Sequence, residues 1–395
     1  MEHLSSRDKL LVTYLALSPC IWFASFRLGT LKFIVFTLLA LTSVQMLLKM
    51  PRKVIFVFLL ILSLVGLNLY LVPTPIDPTM FLLGIFEDML LFTIGYCAFQ
   101  NRCLDNKMIL ISLSLVFVGS VLSISNFFFD VPDWVSPAQV MIYNDTSITG
   151  FTMYPMWSTG LSFDRNGWGC SLALLLPLCF VIKGHKKLAV LLYVILFTSL
   201  FICANRNGLL ATIIVLFLFY FKCSNTQKKV LLILLFTLGG AIIIGSSVMT
   251  SMLRLDSEDI SSGRILQYLL IPQMLQDMGF WGMGHYGTSD YLELNGLGNH
   301  MLHNTYFKIL IEYGWLVGIA FFALVLNIIK QIIKAFKSNK KESIVYSLIL
   351  LAGLLTCLFE PQTVFGIYGG YSIFWICYGY LVYHNKMQSL RHYSV

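Results

Sequence analysis

The residues of this chain best suited to chemistry are arginines and histidines at the edges of long apolar runs. Arg206 sits in Cys203-Ala-Asn-Arg-Asn-Gly208, between two such runs with almost no loop separating them. Asn205 can cap the helix that follows. The first turn of that helix then offers free N–H groups beside a guanidinium, which suits a phosphate. Arg264 follows Ser261-Ser262-Gly263 and opens the run Ile265 to Met278, apolar at 265, 266, 269, 270, 274 and 275. That pattern predicts a helix on a membrane surface or against other spans, kinked at Pro272. Its start repeats the anion-binding logic, with Arg254 a short way upstream. Two arginines at separate helix starts fit a diphosphate, which has two anionic groups, better than a carboxylate. The competing reading of each is an arginine reaching back to lipid headgroups.

His300-Met-Leu-His303-Asn304 supplies the proton chemistry. Three residues apart, the two histidines share a face on a helical turn. An ordinary imidazole titrates near ~6.5, so much of it is neutral at pH 7 and can take a proton from a hydroxyl. A zinc site with His285, Asp290 or Glu293 as further ligands is the alternative, but no HExxH or paired CxxC signature is present. A third reading is a structural histidine capping the helix that begins at Thr305.

The elements that must position these groups are membrane helices. Of 395 residues, 57% are hydrophobic and 12% charged, against about 25% charged in soluble domains. Apolar runs of bilayer-spanning length recur at roughly 10–26, 30–48, 54–72, 81–99, 108–125, 167–182, 188–204, 207–221, 230–250, 305–329, 343–359 and 368–384. The expected fold is an all-α polytopic membrane protein, a single integral membrane domain over residues 1–395 with about 12 transmembrane helices. No small-residue cleavage site follows Arg7 and Lys9, so the first helix is expected to stay.

The net charge of +8 lies in short clusters between apolar runs, the positive-inside pattern and not a nucleic-acid surface. Of 27 lysines and arginines, all but Arg27, Lys32, Arg165, Arg206, Arg254, Arg264 and Lys308 fall on one side. That side is read as cytoplasmic, with both termini on it. Residues 126–167 and 251–304 then form two long outward loops, the second carrying the short amphipathic helix. The first interleaves Asp130, Asp133, Trp134, Asp145, Tyr154 and Trp157 before Phe163-Asp164-Arg165-Asn166-Gly167. Aromatic faces with carboxylates suit sugar rings, and equally an interfacial aromatic belt. Glu87 and Asp88 inside the fourth span suit a proton-coupled transporter, an internal pair with Arg27 or Lys32, or protonation. Glu312 and Glu360, near outer span ends, could support the histidine or an arginine. The nine cysteines lie in or beside spans and encode no disulfide framework.

These stretches resemble the O-antigen ligase and O-antigen polymerase superfamily of bacterial envelope membrane glycosyltransferases. Ala204-Asn-Arg206-Asn-Gly208 looks like its arginine turn, and Ser262-Gly263-Arg264 with Trp281-Gly-Met-Gly284 resembles its Gly-Arg helix and Gly-x-Gly. His303-Asn304-Thr-Tyr306 through Glu312-Tyr-Gly314-Trp-Leu-Val-Gly318 is similar to its His-Asn helix start, and Asp164-Arg-Asn166 to its asparagine after the first outward loop. The likeness covers about Gly160 to Ile319, with four motifs in the family's order; the remainder agrees in hydropathy alone.

The resemblance implies a metal-independent, inverting glycan transfer from an undecaprenyl diphosphate carrier, without a cofactor. The site would face the periplasm from the bacterial inner membrane. Arg206 and Arg264 would hold the diphosphate, and His303 would take the acceptor proton. Asn166, Arg165, Asn304, Arg254, His300, Trp281 and Tyr306 would contact substrate. Implied partners are the undecaprenyl diphosphate-linked oligosaccharide, a glycan or lipid A core acceptor, membrane lipid, and a chain-length regulator or flippase; nucleic acid is not among them. The Asn166 region and His303-Asn-Thr-Tyr-Phe look more like the polymerases, so a polymerase is expected first and a ligase to lipid A core second. A lipid-linked sugar flippase is a third class, disfavoured because a transporter holds its polar groups near the midplane.

Overall fold

The computed structural model describes residues 4–20, 28–50, 52–72, 79–100, 102–128, 165–203, 205–223, 264–297, 301–338, 340–361 and 371–393. Among them the chain is all-helical. The helices are α1 (Ser6–Leu17, continued by a 3-10 turn Ser18–Cys20), α2 (Leu28–Leu47), α3 (Arg52–Leu71), α4 (Thr79–Ala98) and α5 (Asn106–Phe128). Then come α6 (Arg165–Leu175, continued by a 3-10 turn Leu176–Val181), α7 (Lys186–Ile202) and α8 (Arg206–Cys223). The last are α9 (Arg264–Asp277), α10 (Gly287–Leu294), α11 (Thr305–Lys337), α12 (Lys341–Cys357) and α13 (Ser372–Tyr393). After α6 the chain tightens to 3-10 where Pro177 cannot donate to the α-helical ladder.

Among the described residues, five stretches are long and apolar enough to cross a membrane: Thr30–Leu47, Phe81–Ala98, Asn106–Ser125, Arg206–Cys223 and Thr305–Lys337. The expected count of twelve is not established by them. The expected stretch 230–250 lies outside the described residues, and others fall on shorter apolar helices such as Ile55–Leu71 and Asn166–Val181. The interior is built on α1, α4, α6, α12 and α13, whose Trp168, Trp375, Tyr14, Tyr346 and Phe92 are fully buried. Gly95 of α4 and Gly379 of α13 let those two backbones touch. On α2 and α3, by contrast, Phe33, Ile34, Leu41 and Phe56 stand half or more exposed. Apolar faces turned outward on apolar helices suggest a membrane protein, because lipid is the solvent that suits them.

Polar contacts gather at two places, and the sequence put the two on opposite sides. In one, Arg102 grips Asp8 at 2.6 and 3.0 Å, Lys183 pairs with Glu342 at 2.6 Å, and Asn385 Nδ2 donates to Gln331 Oε1 at 2.9 Å. In the other are Asn166, Asn205, Asn207, Arg264, His303 and Glu360. Between them Glu87 is buried with Lys32 Nζ at 3.6 Å, while the Tyr14 hydroxyl donates to it and that of Ser372 lies 3.4 Å away. The expected internal pair of Glu87 with Lys32 is present. Arg27 lies outside the described residues.

α11 was expected over 305–329 and runs to Lys337, with a break at Gly314 (φ 78°, ψ −177°). Only glycine adopts that conformation at little cost. The broken turn is filled by residues 279–286: Met283 N–H donates to Ile311 O at 2.8 Å, Gly284 N–H to Glu312 O at 2.9 Å, and Trp315 N–H to Phe280 O at 3.1 Å. A Cβ on Gly314 would lie 2.5 Å from Phe280 O, and one on Gly282 would lie 2.6 Å from Glu312 O. Gly314→Ala is therefore expected to destabilise the protein by at least about 1–3 kcal/mol. Thermal melting in detergent measures it, and an unchanged midpoint would mean that the loop does not depend on the break.

Candidate functional site

The site is assembled at the starts of helices. α8 begins at Arg206, and Asn205 caps it as its sequence suggested, its Oδ1 accepting from Gly208 N–H. The same amide donates to Asn166 Oδ1 at 3.1 Å and Asn166 O at 3.3 Å, which ties the start of α6 to the start of α8. The two helices approach this closely because both carry glycine at the crossing: a Cβ on Gly208 would sit 2.7 Å from Gly169 O. α9 begins at Arg264, and α11 is capped by Asn304, whose Oδ1 accepts from Phe307 N–H at 3.1 Å.

Glu360, just beyond α12, joins them. Its Oε1 accepts from Arg264 Nη2 at 2.9 Å and from Asn207 Nδ2 at 2.5 Å, and its Oε2 lies 3.6 Å from His303 Nδ1. Its backbone carbonyl accepts from Thr305 Oγ1 at 2.6 Å. The side chain of Glu360 is 6% exposed, that of Arg264 15% and that of His303 24%. His303 Nδ1 is itself buried, so the open part of the side chain lies away from that nitrogen.

His303 is held from behind. Its N–H donates to Gln267 Oε1 at 3.0 Å, and the Tyr268 hydroxyl lies 3.0 Å from His303 O and 2.7 Å from Leu358 O, sharing one proton between two carbonyls. Burial raises the Tyr268 phenol above its usual range, so it stays a neutral donor. Asn304 Nδ2 donates to Leu358 O at 3.2 Å. The N-terminal ends of α8, α9 and α11 thus meet around one carboxylate, and that of α6 is tied to α8 through Asn166. Each of these starts is the positive end of a helix dipole. Arg264 and the imidazole of His303 stand together there, groups able to hold an anion and to accept a proton, with Arg206 at the first position of α8.

Several expectations need correction or relocation. His303 precedes α11 on a non-helical stretch, residues 301–304, so the shared helical face of His300 and His303 does not form over the described part. His300 and Arg254 lie outside the described residues, and Arg165 is described only as the first residue of α6. On α9 the buried face is Gln267, Ile271 and Met274, while Ile265, Leu266 and Leu269 are exposed. Trp281 is not joined to the cluster: it packs edge-on against Phe280 and its carbonyl accepts from Asn68, at the break in α11. Tyr306 donates to Leu354 O at 2.8 Å and packs on Phe321, a structural position. His285, offered as a metal ligand, is bonded to the Tyr313 hydroxyl at 2.6 Å. Among the described residues no three His, Cys, Asp or Glu side chains gather as a metal site.

Sequence reasoning missed Asn207, Gln267 and Tyr268, and left Glu360 unranked. Glu360 did carry a signal, as a carboxylate at the mouth of an otherwise apolar span. The chain matches no protein-family model, and no curated protein matches it.

Asn205 both caps α8 and bridges to Asn166, and the two duties separate by substitution. Asn205→Ala is expected to cost about 1 kcal/mol or more, and Asn205→Asp to recover the cap but not the bridge. Melting temperatures in detergent should therefore fall in the order wild type, Asp, Ala. An Ala variant that melts with the wild type would remove Asn205 from the account.

Proposed function

We propose that this protein transfers a glycan from a polyprenyl diphosphate carrier to a sugar hydroxyl. Following the likeness of its motifs to the polymerases, the acceptor is the end of a second lipid-linked glycan and the product a longer surface polysaccharide. The observation that carries the reading is the meeting of Arg264, Asn207 and His303 on Glu360, at the starts of three helices. Diphosphate binding and proton acceptance are the two tasks such a transfer demands. The acceptor oxygen attacks the anomeric carbon as the bond from that carbon to the phosphate oxygen breaks. The diphosphate leaves with the bonding electrons, held by Arg206 and Arg264, and the hydroxyl proton passes to His303. A lipid diphosphate is already activated, so the protein need only position two sugars and stabilise charge. About twelve spans, the outward loops 126–167 and 251–304, and a bacterial inner membrane with the site on the periplasmic side belong to this proposal. The Lys32–Glu87 pair speaks against the transporter reading, since that carboxylate is already neutralised inside the protein.

Purified protein given a polyprenyl diphosphate glycan should elongate it without added metal, and chelator should not slow it. His303→Ala should lower the rate by about 10²–10⁴. Arg206→Lys and Arg264→Lys should each lose much of the activity at similar expression, because an ammonium cannot copy a two-pronged guanidinium. Zinc-restored activity after chelation would replace the metal-free scheme, and full activity of both lysine variants would remove the diphosphate clamp. In cells, a deletion that leaves lipid A core bearing one repeat unit identifies the polymerase. Bare core with polymer retained on the carrier identifies the ligase instead.

Sidedness is tested separately. In a cysteine-free background, Asp290→Cys should react with an impermeant thiol reagent in intact spheroplasts, and Lys334→Cys only after lysis. The reverse pattern would put the site on the wrong face for a lipid-linked glycan presented outside.

A further inference from the structure

Glu360 is buried, charged, and gripped by groups from three separate segments. Asn207 comes from α8, Arg264 from α9, and His303 from the approach to α11, while Thr305 fixes the Glu360 backbone independently of the carboxylate. A carboxylate at 6% exposure is costly unless paired, so its retention calls for a task. Its two oxygens are divided: Oε1 takes the arginine and the amide, and Oε2 is left to the imidazole. The separation of 3.6 Å is longer than a hydrogen bond, as such contacts often are before substrate arrives.

We infer that Glu360 is a positioning residue that couples the two halves of the transfer, orienting His303 through its Nδ1 edge while setting the place of Arg264. The inference rests on the transfer reading above. A neutral imidazole that donates Nδ1–H to a carboxylate keeps its lone pair on Nε2, at the opposite edge, where an acceptor hydroxyl can reach it. When the proton arrives on Nε2, the neighbouring carboxylate stabilises the imidazolium. Toward Arg264 the same carboxylate acts in the opposite sense, because it competes with the donor phosphates for the guanidinium. Glu360 therefore helps the chemical step and weakens binding of the donor, and these two effects fall on different kinetic constants.

The test is steady-state kinetics on the full-length protein in detergent or liposomes, with a polyprenyl diphosphate glycan as donor. Glu360→Gln keeps the shape and an acceptor for Asn207 but removes the charge. Its kcat should fall by about 10²-fold, the loss expected when a reacting group is misplaced. Its donor KM should stay level or fall. Asn207→Ala, which loosens Glu360 without touching charge, should show a smaller fall in kcat in the same direction. Combined with His303→Ala, Glu360→Gln should lower kcat no further, because its effect on the chemical step runs through the imidazole. A raised donor KM in Glu360→Gln, or losses that multiply in the double variant, would reduce Glu360 to a structural support and overturn the inference alone. Wild-type kcat in Glu360→Gln would do the same. A wild-type protein that transfers no glycan from this donor overturns the transfer reading, and the inference with it.

Discussion

A buried carboxylate in an apolar protein must be paired, and the pairing of Glu360 is what draws the site together. Its partners lie far from it along the chain, so no local preference could gather them. Asn207, Arg264 and His303 stand on segments that otherwise begin independent helices. Leaving any of these groups unpaired would cost more than the contact itself gains. The geometry of the site is therefore set by the same requirement that keeps the fold intact. Gln267 and Tyr268 extend the constraint from side chains to backbone, since they fix the His303 main chain from the first turn of α9.

The break in α11 supplies a second anchor for the same region. The segment from Arg264 to Asn304 is attached at its start through Glu360, at its middle through the Gly282–Gly314 contact, and at its end through the Asn304 cap. Glu312 adds to the middle anchor: fully buried on α11, it accepts from the Thr288 hydroxyl in the first turn of α10. Three attachments hold its described stretches against the helix starts they face. The proposed two-substrate transfer would need such positioning, because misplacement by about 1 Å is enough to cost about 10² in rate.

What was legible in the sequence is what depends on neighbours a few residues away. The Asn205 cap, the helix starts at Arg206 and Arg264, and the start of α11 after Asn304 follow from local hydrogen bonding and were readable. His300 lies outside the described residues, and His303 stands on the non-helical stretch 301–304 ahead of α11. The Trp-Gly-Met-Gly stretch lies against the break at Gly314 in α11, a long-range contact that leaves no periodic trace in the sequence. α9 was recognised as amphipathic, yet its buried face runs through Gln267, a polar residue turned inward by the His303 backbone. Hydropathy also sees apolar length without seeing burial. It cannot separate a helix facing lipid, such as α2, from one enclosed by protein, such as the interior part of α1.

Two glutamates in this protein show how a structural charge differs from one available to chemistry. Glu87 and Lys32 are both almost fully enclosed, at 7% and 5% exposure, and the Tyr14 and Ser372 hydroxyls complete a closed set. Among the described residues the pair is enclosed by α1, α2, α4 and α13. Glu360 is just as buried, but its partners are not: Arg264 and His303 keep 15% and 24% of their surface open. A charge whose partners are sealed can only hold helices together. A charge whose partners face outward passes its influence to whatever they touch, and for an arginine and a histidine side by side that is an anion and a proton.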